Sequence, residues 1–166
     1  MMRAVTTWAM LGLLAACSGG EKEPTQRQQI GQAWKYEKAT DGGSAPAVAY
    51  IGSANSVATL TSPDTFSVLL VQPLEEGTAD VTVKLVGAPF SCDLSKCLIV
   101  ATTDDGKRHS WQGRLTQAKD GITIAPSQGA YDAIRDARSV TVNLVVGPKD
   151  KTAPFAFNVA GLNLKG

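Results

Sequence analysis

The chain reads as an all-β protein, an antiparallel β-sandwich or Greek-key barrel with one short helix, on three observations. From about Trp34 onward, apolar residues recur with a period of two rather than 3.6. Turn-forming residues divide them into roughly eight to ten short runs. The repeated helical crossovers that a parallel sheet demands are missing from the pattern.

The first candidate strands are residues 47–51 and 57–61. Residues 65–72 are apolar on both sides, with Phe66, Val68 and Leu70 against Leu69 and Val71, which places them centrally. In 80–86, Val81, Val83 and Leu85 alternate with Thr82 and Lys84, so one face is buried and the other wet. Residues 98–101 are again apolar throughout; 109–115 and 122–125 follow. Val140, Val142, Leu144 and Val146 alternate with Thr141, Asn143 and Val145, and 153–159 closes the set. Turn chemistry stands between these runs at Gly42-Gly43, Ser62-Pro63-Asp64, Asp105-Gly106, Asp120-Gly121 and Gly147-Pro148. One interruption has helical spacing: Ser127 is placed to cap about two turns with Tyr131, Ile134 and Ala137 on a shared side.

A length of 166 residues, 43% hydrophobic and 19% charged, suits one domain, assigned to 33–166, with one core. The formal charge is +1, and removal of residues 1–16 would take only Arg3, leaving fifteen residues of each sign. Such a body has no field to attract nucleic acid.

Residues 1–16 have the form of a signal peptide: Arg3 precedes an apolar run over 5–16 that is too short to span a bilayer, which takes ~20 residues. The run closes as Leu14-Ala15-Ala16-Cys17. This resembles the lipobox of bacterial lipoproteins at every position. The resemblance implies that Cys17 is diacylated on sulfur, becomes the first residue after cleavage and receives a third acyl chain. Ser18, in place of an aspartate that resembles an inner-membrane retention signal, points to the outer membrane with the body facing the periplasm. Two or three acyl chains make a durable anchor where one does not. Residues 17–32 hold little apolar surface and read as a flexible tether.

Cys92 and Cys97 are the other two cysteines, with four residues between them. In an exported chain a disulfide is the expected product, whose short loop stabilises by ~2 kcal/mol. Its rivals are a redox pair, for which the spacing is too long, and a metal site completed by His109 or Asp93. His109 is the only histidine, and no G-x-S-x-G signature accompanies it. With Lys107 and Arg108 it forms a candidate contact surface just after the Asp105-Gly106 turn. Asp104-Asp105-Gly106 lacks the repeated oxygen ligands of a calcium loop, so a hairpin turn is the simpler reading. Glu75-Glu76, Asp132 and Asp136 read as surface charges. Trp34, Tyr36, Tyr50, Trp111 and Tyr131 are the aromatics to follow. No catalytic residue, metal or cofactor is assigned.

The series Phe90, Cys92, Cys97, Asp105-Gly106-Lys107, Asp120-Gly121, Phe155, Phe157 and Gly161-Leu162 is similar to small, largely uncharacterised secreted β domains of Gram-negative bacteria, and more distantly to the invasion-associated locus B family. That resemblance implies an exported, disulfide-bearing domain without a known enzymatic activity, and it transfers no catalytic residue. The expectation is a non-enzymatic, membrane-anchored envelope lipoprotein whose β domain binds a protein partner. The alternatives are an immunity or inhibitor lipoprotein directed against a cell-wall hydrolase, and an envelope hydrolase using carboxylates or His109.

Overall fold

The computed structural model describes residues 23–38, 46–74, 77–89, 97–147 and 151–164. Its nine strands are β1 Lys35–Lys38, β2 Pro46–Gly52, β3 Phe66–Pro73, β4 Ala79–Val86, β5 Cys97–Thr103, β6 Arg108–Leu115, β7 Gly121–Ile124, β8 Ser139–Gly147 and β9 Lys151–Asn158. They form one sheet in the order β1-β2-β3-β4-β7-β6-β5-β8-β9, every neighbouring pair antiparallel. β8 lies beside β5 after the β5-β6-β7 meander, which is the Greek-key order. The all-β, antiparallel class expected from the periodicity is the class observed.

Alternation sets the inner face. Val81, Val83 and Leu85 of β4, Val140, Val142 and Leu144 of β8, and Phe155 and Phe157 of β9 are buried in one cluster. At the start of β3, Phe66 to Leu69 are buried on both sides, in keeping with its central reading. The buried Ser67 on this stretch is fully engaged: its N–H donates to Ser53 Oγ at 3.1 Å and its hydroxyl to Lys84 O at 2.9 Å. The sheet curls until the chain leaving β2 meets β9. Ala54 N donates to Ala156 O at 2.7 Å, while the Asn55 side chain donates to Pro154 O and accepts from Ala156 N, each at 2.8 Å.

Two helices attach to this sheet. The expected one is α2, Gln128–Asp136, which buries Ala130, Tyr131 and Ile134 in the common core. Ser127 holds the N-cap position, but its hydroxyl donates to Asp80 Oδ1 at 3.1 Å and caps no helical N–H. The other, α1 at Gln26–Ile30, falls within the stretch read as tether. Thr25 and Gln28 form a reciprocal capping box, and Gly31 O accepts from Gly52 N at 3.0 Å. A Cβ on Gly52 would lie 2.7 Å from Gly31 O, so this position needs glycine for α1 to dock.

Three local expectations are corrected. Residues 57–61 make no strand, only an isolated bridge from Val57 to Thr65. The Thr59 hydroxyl bonds to Ser62 and Thr65 and draws the segment into a loop, side-chain bonding having displaced a ladder. β1 was not expected, because KYEK is exposed throughout and shows no alternation; lysines at both its ends suit an edge strand. The β6–β7 turn falls before Gly121, with Lys119 at φ 57°; Gly121 already pairs with Lys84, where a Cβ would meet Lys84 Cγ at 2.9 Å. Cys17, Gly42-Gly43, Glu75-Glu76, Cys92, Asp93 and Pro148 lie outside the described residues.

The strand directions give the sheet two ends. One, the α1 end, gathers α1, the 53–65 segment, the close of β4 and the β6–β7 turn. The other, the α2 end, gathers the β3–β4 and β5–β6 turns, α2 and the segment after β9.

Candidate functional site

A groove of about 310 Å³ at the α2 end lies between the β5–β6 turn and one side of α2. The turn forms because Gly106 takes φ +81° and donates its N–H to Thr103 O at 2.9 Å. Asp105 fixes it further, accepting from Thr103 Oγ1 at 2.6 Å, Lys107 N at 3.1 Å and Lys107 Nζ at 2.7 Å. These bonds, the lysine ammonium's first, hold the Asp105 carboxyl far below the usual carboxylate range; the same pair raises Lys107. Asp104 ties the turn to the strand that follows α2, accepting from Arg138 N at 2.9 Å and Ser139 N at 3.4 Å. The Arg138 N–H chiefly lowers its pKa.

His109 and Trp111, two apart on β6, share one face and stack at 5.6 Å between ring centres. His109 is half-buried, with Nε2 3.5 Å from Thr103 Oγ1. The Thr103 hydroxyl donates to Asp105 rather than to the histidine. From α2, Asp132, Ala133, Asp136 and Ala137 complete the groove wall. Arg135 pairs with both aspartates, at 3.1 Å to Asp132 and 2.8 Å to Asp136, and lies over the Tyr131 ring. It lowers the Asp136 pKa. Each of the four carboxylates on the groove is thus already engaged.

The structure divides the predicted Lys107-Arg108-His109 surface. Lys107 and His109 line the groove, while Arg108 is exposed outside its lining. Sequence reasoning missed the approach of Asp132 and Asp136 to the hairpin. Their spacing of four, next to the buried Tyr131 and Ile134, marks one side of a helix, but only the fold sets that side against residues 104–109. Cys97 is buried at the start of β5, away from this groove, and is disulfide-bonded. Trp111 and Tyr131 pack in the core, and Trp34 donates to Val159 O at 2.9 Å. Tyr50 lines a separate, largely apolar concavity with Ile30, Val48 and Leu70 at the α1 end.

Among the described residues, no cluster of His, Cys, Asp and Glu is arranged to hold a metal ion, and no helix is long and apolar enough to cross a membrane. No protein-family model, curated protein or solved structure matches the chain.

Proposed function

We propose that the chain is an envelope lipoprotein, anchored in the outer membrane through acylated Cys17, whose β domain binds a protein partner at the α2 end. One observation carries this reading. None of the residues lining the groove beside His109 belongs to α1, where the tether meets the body, so the anchor leaves the groove, with Lys107 and the neighbouring Arg108, open to a partner. The disulfide partner of Cys97 is proposed to be Cys92, which leaves Cys17 free for acylation. The test is in-cell crosslinking from a photoreactive residue at Arg108 and, as control, at Lys151, in the anchored chain and in a Cys17→Ser form exported by an ordinary signal. A partner captured from Arg108 in the anchored form alone supports the reading; capture from Lys151 alone, or turnover of an envelope glycan or peptide by purified protein, defeats it.

The hydrogen-bonded rigidity of the 104–107 turn favours a second reading, an inhibitor that plugs the active site of an incoming cell-wall hydrolase. Deletion of the gene then sensitises cells to hydrolases delivered by neighbours, and unchanged sensitivity counts against it. The hydrolase alternative stands or falls with the groove side chains: His109→Ala must abolish any activity found for the histidine version to hold.

A further inference from the structure

The α1 end of the sheet carries the two most exposed leucines of the described residues, Leu60 at 90% and Leu98 at 63% exposure. Leu60 stands on a loop held in place by hydrogen bonds. Thr59 N donates to Ser62 O at 2.8 Å and Thr61 Oγ1 to Gly87 O at 2.7 Å, which fixes the loop to the close of β4. A leucine displayed on a rigid turn loses little freedom when it is buried elsewhere. The same loop is joined to the root of the tether: Arg27 of α1 faces Asp64 at 3.5 Å.

Because α1 is docked, Cys17 lies only eight positions before Thr25, a reach of at most about 28 Å. The charges at this end are of both signs. Its two described carboxylates within ion-pair range, Asp64 and Asp120, are held by Arg27 and Lys84. Lys119 and Lys151 are exposed and make no ion pair among the described residues; Glu23 and Glu37 are exposed acids likewise without one.

We infer that the α1 end is a lipid-contacting face, with Leu60 entering the bilayer interface and Lys119 and Lys151 at the level of anionic headgroups. This rests on the anchored reading above. The physical basis is the combination that holds peripheral proteins on bilayers, apolar burial together with cationic attraction. The chosen partner is the lipid surface, because a short tether keeps this end beside it.

The test uses the full lipidated chain on vesicles of phosphatidylethanolamine and phosphatidylglycerol, with a polarity-sensitive nitrobenzoxadiazole label at Leu60→Cys or, at the opposite end, at Leu74→Cys. The label at 60 is expected to shift to the blue and to be quenched by spin-labelled lipid, while the label at 74 stays water-like. Lys119→Glu with Lys151→Glu should reduce the quenching at 60 at least twofold on these vesicles, and leave it unchanged on phosphatidylcholine. A water-like label at 60 on vesicle-bound protein, or equal quenching at 60 and 74, overturns the inference. A second sample, held to nickel-chelating lipid by a hexahistidine tag replacing Cys17, reads the face without acylation. Quenching there, with no vesicle binding by the acyl form, would defeat the anchor and keep the face.

Discussion

Gly113 shows how narrowly a single position is set within the Greek key. A Cβ there would sit 2.0 Å from Ile122 Cγ2, and Ile122 is a buried, β-branched side chain with little freedom to move aside. Gly113→Ala is expected to destabilise by about 1–3 kcal/mol through overpacking, read from urea denaturation. Gly106→Ala meets no atom within 4 Å, so its cost comes from φ +81° alone and is about 1 kcal/mol. Equal losses at the two positions would refute this division of causes. A second residue-scale prediction concerns acid. Asp104, Asp105, Asp120 and Asp136 all titrate below the ordinary carboxylate value, through the Arg138 N–H, Lys107, Lys84 and Arg135 respectively. A folded-state pKa below the unfolded one adds stability that is complete above ~4 and is lost as pH falls through the folded values. The thermal midpoint should therefore hold between pH 7 and 5 and decline below about 4. Asp104→Asn should flatten part of that decline, and a variant curve parallel to the parent would show that Asp104 contributes none of it.

At the scale of elements, Asn55 does what no strand neighbour does for β9: it covers that strand's outer edge with a donor and an acceptor. Asn55→Ala removes both bonds and should cost about 1–2 kcal/mol. It also leaves the Pro154 carbonyl and Ala156 N–H open to another chain, so concentration-dependent association is expected by analytical ultracentrifugation. Asn55→Asp keeps the acceptor for Ala156 N and should lose about half as much; a loss equal to that of alanine would contradict the geometry. Such a clamp was not legible beforehand, since a lone asparagine after a strand carries no sign of a partner a hundred positions away. What was legible were the elements whose burial is local in pattern. Val81-Thr82-Val83-Lys84-Leu85 declared β4, and Tyr131 with Ile134 declared α2. β1 and α1 escaped because neither buries a face of its own: β1 is held by pairing with β2, and α1 by its capping box and the approach of Gly31 to Gly52. Residues 57–61 misled for the opposite reason, apolar and β-branched spacing being outweighed by the Thr59 hydroxyl.

For the whole molecule, sequence patterning identified the Asp105-Gly106 hairpin and His109 but not the site they belong to. The groove requires β8 to lie beside β5, which brings Arg138 and Ser139 to Asp104 and the aspartates of α2 to the hairpin; that adjacency follows from sheet order, and periodicity within a strand carries no information about order. The same order makes one core of all the layers. Phe155 is fully buried in the cluster that contains Val83 of β4, Trp111 of β6 and Ile134 of α2, with Trp34 packed against it. Removing its ring should therefore weaken every element together. Phe155→Ala is expected to cost about 3–5 kcal/mol, and far-ultraviolet and near-ultraviolet circular dichroism should still trace one coincident transition. The near-ultraviolet signal reports Trp111 inside the core and Trp34 at its margin, so a separate early melting of the α1 end would split the two curves. Coincidence would mean that the groove and the 53–65 loop are held by one cooperative unit, and that a core mutation disables both; a split would mean that the α1 end can loosen while the groove stays intact.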